Sequence, residues 1–144
     1  MTRVDFYVAE SASRLDRYQI ACRITHKAWQ AGHRVLLHTA DREEADHLNR
    51  LLWTVQDISF IPHGLLGQAD PAHNPILVGD GNLSDPLAEH DVLINLAAAV
   101  PLFFSRFARL AECVDQDAQV KQDSRERYRF YRDRGYPLQM HHLR

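Results

Sequence analysis

The side chains best suited to binding chemistry lie together near the C-terminal end of the chain. Cations and one tyrosine recur there at steps of three and four residues: Lys121, Arg125, Tyr128, Arg129 and Arg132. That spacing predicts one stripe along a helical surface, with Arg127 and Arg134 adding charge on adjacent faces. An arginine offers a planar fork of donors to carboxylates and phosphates, and a tyrosine offers apolar area with a polar tip. The stripe suits an acidic, aromatic-containing peptide or a nucleic-acid backbone, and the alternative is a solvated charged face.

Two aromatic residues form a second candidate site. Trp53 and Phe60 flank the transition from a predicted helix to a long irregular segment over residues 54–74. Irregular segments of this length are often functional. The two rings belong either to the core or, if exposed, to an aromatic anchor for a partner protein, and the sequence leaves both interpretations open.

Signatures of an enzyme are missing from the sequence. The first predicted strand leads into Val8–Ser13, which has no glycine to let a backbone approach a pyrophosphate, and there is no Gly-x-x-x-x-Gly-Lys-Ser/Thr loop. The nine histidines are scattered without a zinc-binding spacing, and no Gly-x-Ser-x-Gly elbow is present. Cys22 and Cys113 lie in apolar segments and are expected to be reduced, buried thiols. We therefore expect no catalytic residues, no metal and no cofactor.

The predicted strands and helices, which must position the two candidate sites, alternate along the chain. Residues 4–8 and 34–38 read as strands on either side of a helix over 13–32, which predicts a right-handed βαβ unit with parallel strands. Further elements follow in order: a helix from 41 to 53, strands at 75–79 and 91–95, a helix over 101–111, a short strand at 112–114 and a last helix over about 118–134. Gly135 and Pro137 end that helix, and the tail over 135–144 is expected to fray.

This alternation predicts a single α/β domain over residues 1–144, with a mostly parallel sheet covered by helices on both faces. The formal net charge of −2 gives the whole protein little attraction for DNA or anionic membranes. The longest apolar stretch, over 96–104, is too short to span a bilayer, and no signal peptide is evident. We therefore expect a cytoplasmic protein that does not act at a membrane.

Several short motifs, taken in order, resemble one family over nearly the whole chain. They are Phe6-Tyr7, Cys22-Arg-Ile24, Trp29-x-x-Gly-x-Arg-Val-Leu36, Leu52-Trp53, Ser59-Phe-x-Pro-His63, Asp91-Val-Leu-Ile94, Arg125-Glu-Arg-Tyr128, Tyr131-Arg132 and Gly135. No single motif is diagnostic, but their order and spacing are specific. Together they resemble the chi subunit of the bacterial DNA polymerase III holoenzyme.

The resemblance implies a Rossmann-like fold without the nucleotide-binding loop and a role without catalysis of its own. Chi subunits are accessory subunits of a DNA-directed DNA polymerase, a nucleotidyltransferase complex, and act at its clamp-loader end in DNA replication. They bind the acidic C-terminal tail of single-stranded DNA-binding protein and pair with the psi subunit. By position, the tail-binding residues would be Val114, Lys121, Arg125, Tyr128 and Arg129, and the psi-facing pair Trp53 and Phe60. Arg129 stands where better-known members carry a lysine.

The leading hypothesis is therefore an adaptor that meets DNA only indirectly. The alternative is direct binding of single-stranded nucleic acid by the last helix. One row of cations with few exposed aromatic rings makes a poor stacking platform, which disfavours that alternative. A nucleotide-dependent enzyme is disfavoured because no loop could cradle a phosphate.

Overall fold

The computed structural model describes residues 1–55, 60–81 and 91–144. Seven strands and three helices succeed one another in these residues, together with a short 3-10 helix over Phe104–Arg106. The elements are β1 (Arg3–Ala9), α1 (Arg17–Gln30), β2 (Val35–His38), α2 (Arg42–Thr54), β3 (His63–Leu65), β4 (Ile76–Gly79), β5 (Val92–Asn95), β6 (Arg109–Val114), α3 (Ala118–Asp133) and β7 (Leu138–Leu143).

The strands form one open sheet in the order β3-β4-β2-β5-β6-β1-β7. Every pairing between these strands is parallel. The connection from β1 to β2 crosses the sheet in one direction and the connection from β6 to β7 crosses it in the other. Because such crossovers share one hand, their helices must lie on opposite faces. The predicted α/β fold class is thus confirmed, and the sheet is fully parallel.

Two separate cores cover the two faces of the sheet. On one face α1 and α2 bury Ile20 and Leu48 against residues of the central strands. On the other face Tyr131 of α3 packs with Phe6 and Phe104. Central strands are buried on both sides, which explains the continuous apolar runs of β2 and β5.

Each helix begins where an aspartate caps it. Asp16, Asp41 and Asp117 accept a hydrogen bond from the backbone amide three residues on, at 2.8, 2.9 and 3.0 Å. At Asp16 the Gln19 side chain completes a capping box by accepting from the Asp16 amide. This cap fixes the start of α1 at Arg17, later than the predicted residue 13.

The predicted helix over 101–111 is wrong. Only Phe104–Arg106 form a helical turn, and β6 begins at Arg109, three residues before the predicted short strand. The apolar residues Phe103, Phe104 and Phe107 belong to the core beneath α3. A strand buried on both faces and a buried helical segment both read as unbroken apolar runs, so periodicity could not separate them.

The predicted fraying of the C-terminal tail is also wrong. Gly135 adopts a positive φ of 79°, which turns the chain back after α3. Residues Leu138–Leu143 then pair with β1 along its length, and the Glu10 amide donates to the Leu143 carbonyl at 2.7 Å. The short strand β3 was likewise not predicted, because it lies within the segment interpreted as irregular.

None of the helices in the described parts of the chain has the length and apolar character that a membrane span requires.

Candidate functional site

A groove of about 470 Å³ runs between α3 and the strands β6, β1 and β7. We call it the α3 groove. Strand side chains form its floor, and α3 forms its wall. The lining residues are Phe6, Val8, Val114, Lys121, Ser124, Arg125, Tyr128, Arg129, Arg132 and Met140. Phe6 and Val8 reach the floor because alternate side chains of β1 point to the same face of the sheet.

All five residues predicted to bind the tail line this groove. Lys121, Arg125, Tyr128 and Arg129 come from α3, at the helical spacing that the sequence indicated. Val114 joins them from the end of β6, which directly precedes α3. Arg132 lies in the same groove. The fold therefore assembles the predicted set in one place, while its role in binding stays a prediction.

Two of the four cations that line the groove have no partner among the described residues. Arg125 and Arg129 are exposed, and neither forms an ion pair or a side-chain hydrogen bond with any residue that the structure describes. Lys121 Nζ donates to Gln116 Oε1 at 2.8 Å, and Arg132 Nη2 pairs with Asp133 Oδ1 at 3.1 Å. Exposed pairs of this kind contribute little free energy, so an incoming anion can displace them.

The apolar part of the groove lies beside these cations. Val114 is buried, and the ring of Tyr128 is half-buried. The Tyr128 ring meets the Phe6 ring edge to face, with 5.4 Å between centroids. Edge-to-face pairs of this kind contribute about 0.5–1.5 kcal/mol beyond the area that they bury. The groove thus combines an apolar surface with positive charge that has no partner in the described parts of the chain, a combination suited to a ligand with an anionic part and an apolar end.

The prediction that Arg127 adds charge to the helix surface is wrong. Arg127 is only 5% exposed, and its Nε donates to Glu112 Oε1 at 3.0 Å while its Nη1 donates to the Ala98 carbonyl at 2.8 Å. The correction has a simple cause. A helical residue two positions from the exposed row faces the sheet, and there a buried carboxylate neutralises it.

A buried polar network, which was not predicted from the sequence, surrounds that carboxylate. Glu112 accepts from Tyr131 Oη at 2.6 Å and from Asn95 Nδ2 at 3.1 Å, in addition to Arg127. Burial raises the pKa of Glu112, and the charge and hydrogen bonds of these three partners oppose the rise. Glu112 interrupts the apolar run of β6, and a lone carboxylate within a buried strand was the available signal that a partner must exist.

Trp53 and Phe60 lie away from the α3 groove. Trp53 is 54% exposed and Phe60 is 82% exposed, which excludes the interpretation that their rings are core. The Trp53 ring packs against the ring of buried His63, with 4.0 Å between centroids. Trp53 belongs to α2, which packs on the sheet face opposite α3, and Phe60 lies between α2 and β3. Of the motif Ser59-Phe-x-Pro-His63, Ser59 lies outside the described residues.

The described residues include no group of three or more histidine, cysteine or carboxylate side chains placed to hold a metal ion. Cys22 and Cys113 are both free and buried. Burial raises the pKa of the Cys22 thiol to about 11, with a smaller contribution from the charge of Asp16. Burial raises the pKa of the Cys113 thiol as well, so both thiols stay protonated inside the core at neutral pH.

Comparison with known proteins identifies the family. The family described as DNA polymerase III chi subunit, HolC, matches residues 1–139. The DNA polymerase III subunit chi of Pseudomonas aeruginosa is 44% identical, over 99% of this chain and 98% of its own. The subunits of the same name from Haemophilus influenzae and Escherichia coli are 31% and 29% identical, covering 92% and 96% of this chain and the same shares of their own. This chain therefore belongs to the family of DNA polymerase III chi subunits.

Proposed function

We propose that this chain is a non-catalytic accessory subunit of DNA polymerase III that binds the acidic C-terminal tail of single-stranded DNA-binding protein in the α3 groove. The observation that carries the proposal is the placement of Arg125 and Arg129, which are exposed beside the apolar surface of Val114 and Tyr128 and have no ion-pair partner among the residues that the structure describes. The work would take place in the bacterial cytoplasm, at the replication fork.

The chemistry of the groove supports an acidic peptide with an apolar end. Carboxylates of the tail, including the terminal one, would accept hydrogen bonds from Arg125, Arg129 and Lys121. An arginine fork matches a carboxylate in two parallel bonds, which gives direction as well as attraction. The final apolar side chains of the tail would lie against Val114 and the Tyr128 ring.

Calorimetric titration with a short acidic peptide ending in Ile-Pro-Phe tests this assignment. We expect binding that weakens with salt, and a loss of about 2 kcal/mol or more on Arg125→Ala, since charged hydrogen bonds at a pocket have that size. Arg50→Ala is the matched control, because Arg50 is an exposed arginine of α2 outside the groove. Tight binding of oligo-dT by the α3 groove, with no binding of the peptide, would contradict the assignment.

We further propose that Trp53 and Phe60 bind a psi-like subunit that links this chain to the clamp loader. The support is the exposure of both large aromatic side chains, together with the position of Trp53 on α2, which packs on the face opposite the α3 groove. Exposed rings of this kind commonly anchor protein interfaces.

Pull-down of the psi-like subunit tests this second surface. Trp53→Ala should abolish capture and leave the affinity for the acidic peptide unchanged. Because Trp53 also contacts buried His63, Phe60→Ala provides a variant with less risk of unfolding. Capture that survives both substitutions in folded protein would refute the proposed interface.

A further inference from the structure

A second groove lies on the opposite face of β1, between α1 and the strands β1 and β7. It consists of two adjoining cavities of about 460 and 290 Å³, which share Tyr7, Ile24 and Lys27. We call it the α1 groove. Since Phe6 and Val8 line the α3 groove, the alternation of β1 places Tyr7 on the other side of the sheet. The two grooves therefore share a strand but not a surface.

Positive groups predominate along the α1 groove. Its lining includes the cations Arg23, Lys27 and Arg109 and the histidines His26, His33 and His141, and no carboxylate lines it among the described residues. Arg23 and Lys27 are exposed and form no ion pair within the described part of the chain. These two side chains are free to meet an anion.

A buried carboxylate beside the groove, Asp5, is already paired with cations. Asp5 is buried beneath the groove, where Arg109 Nε lies 3.1 Å from Oδ2 and His141 Nε2 lies 3.0 Å from Oδ1. Arg3 Nε adds a third contact at 3.2 Å. Because the cations Arg3 and Arg109 balance its charge, Asp5 offers little repulsion to an anion in the groove.

A stacked pair of rings lies at the centre of the groove. Tyr7 and His141 are nearly parallel, with 4.5 Å between centroids and 10° between planes. Arg109 Nη2 donates to the Tyr7 hydroxyl at 2.7 Å, which holds that ring in place. The groove thus combines a fixed planar surface with free cations at its margin.

We propose that the α1 groove binds single-stranded nucleic acid. Phosphates would meet Arg23, Lys27 and Arg109, and a base would stack beside the Tyr7–His141 pair. Cations that follow a backbone, combined with rings on which bases stack, form the general arrangement of single-strand binding sites. An acidic peptide would satisfy the cations but would leave the planar surface without a function, so nucleic acid is the occupant that uses both features. The α3 groove has the cations without such a stack.

Fluorescence anisotropy of labelled oligo-dT with the full chain tests the proposal. We expect weak binding at low salt with a log–log salt slope of about −2, since three phosphate contacts on a single strand release about 0.7 counterion each. The double reversal R23E/K27E should weaken binding at least tenfold. The matched reversal R125E/R129E in the α3 groove should leave it unchanged while removing binding of the acidic peptide.

Several outcomes would overturn the proposal. One is the absence of oligo-dT binding at low salt, and another is binding that R23E/K27E leaves unchanged. Loss of oligo-dT binding in R125E/R129E would place the nucleic acid in the α3 groove instead. Loss of peptide binding in R23E/K27E would show that the α1 groove takes an acidic peptide. Failure of the wild-type chain to bind the peptide would count against the proposed function and leave this inference standing.

Discussion

Arg125 and Arg127 lie two positions apart on α3 and carry the same charge, yet their surroundings are opposite. Arg125 is exposed on the groove and has no internal partner among the described residues. Arg127 is buried, and its donors are bonded to Glu112 and the Ala98 carbonyl. The helix thus separates two uses of arginine. One side holds the helix to the sheet, and the other exposes charge on the α3 groove.

The side of α3 that faces the sheet determines the orientation of the side that faces the α3 groove. Arg127 and Tyr131 stand four residues apart on the inner side and both bond to Glu112 of β6. Arg125 and Arg129 stand four residues apart on the groove side. Both of these α3 side chains bond to the same carboxylate, so rotation of the helix about its axis would break the hydrogen bonds to Glu112. The orientation of the exposed pair therefore depends on the buried pair.

The same substitution at the two arginines should have very different effects on stability. Arg127→Met leaves the Glu112 carboxylate buried without its cation, and removal of one partner from a buried pair costs about 3–5 kcal/mol. Arg125→Met removes an exposed charge and should change the free energy of unfolding by less than about 0.5 kcal/mol. Urea denaturation followed by circular dichroism measures both values.

A double variant sharpens this prediction. Arg127→Met combined with Glu112→Gln removes both charges, so it should recover part of the stability lost in Arg127→Met alone. If Arg127→Met and Arg125→Met unfold at the same urea concentration, the buried pair does not anchor the helix.

Two tyrosines of α3 allow a second matched comparison with a smaller expected effect. The Tyr131 hydroxyl donates to Glu112 Oε2 at 2.6 Å, so Tyr131→Phe should cost about 1.5–3 kcal/mol, as for a hydrogen bond to a charged group. The Tyr128 hydroxyl has no partner among the described residues, so Tyr128→Phe should be nearly neutral. Thermal denaturation of the two variants would contradict the comparison if their midpoints matched.

These contrasts also show what the sequence could predict. The βαβ unit and α3 were predicted because alternation and helical spacing are local patterns. The burial of Arg127 was not predicted because its partner, Glu112, lies 15 positions earlier. The spacing of charges along a helix does not indicate a carboxylate on a distant strand. Strand β7 was missed because an edge strand of polar residues such as Gln139 and His141 lacks the apolar pattern of a buried strand.

The site was predicted unevenly for the same reason. The cations of the α3 groove follow from spacing within one helix, but Val114 entered only through the resemblance to chi subunits. Met140 could not be placed in the groove from the sequence, because its position depends on β7 pairing with β1. Residues contributed by neighbouring strands become visible only when the sheet order is known.

The buried carboxylate of Asp5 should make a still smaller contribution to the free energy of unfolding, and this contribution depends on pH. Burial alone would raise the pKa of Asp5, but hydrogen bonds from His141 and Arg109 and nearby positive charge outweigh it and lower the pKa below its ordinary value. A lowered pKa in the folded state stabilises the fold above the unfolded value, and that stability is lost as pH falls below about 4. Urea denaturation of the wild type should therefore show a loss of stability between pH 6 and pH 3, and Asp5→Asn should reduce that loss. Identical dependence of stability on pH in the two proteins would contradict this role of Asp5.

The central claim, that α3 holds the sheet with one arginine and offers others to a partner, can be tested in one titration. The measurement is a ¹⁵N NMR spectrum of the arginine Nε–H groups during addition of the acidic peptide ending in Ile-Pro-Phe. The signals of Arg125 and Arg129 should move with peptide concentration, and the signal of Arg127 should stay in place and exchange slowly with water. A moving Arg127 signal, or bound peptide with unmoved Arg125 and Arg129 signals, would contradict the claim.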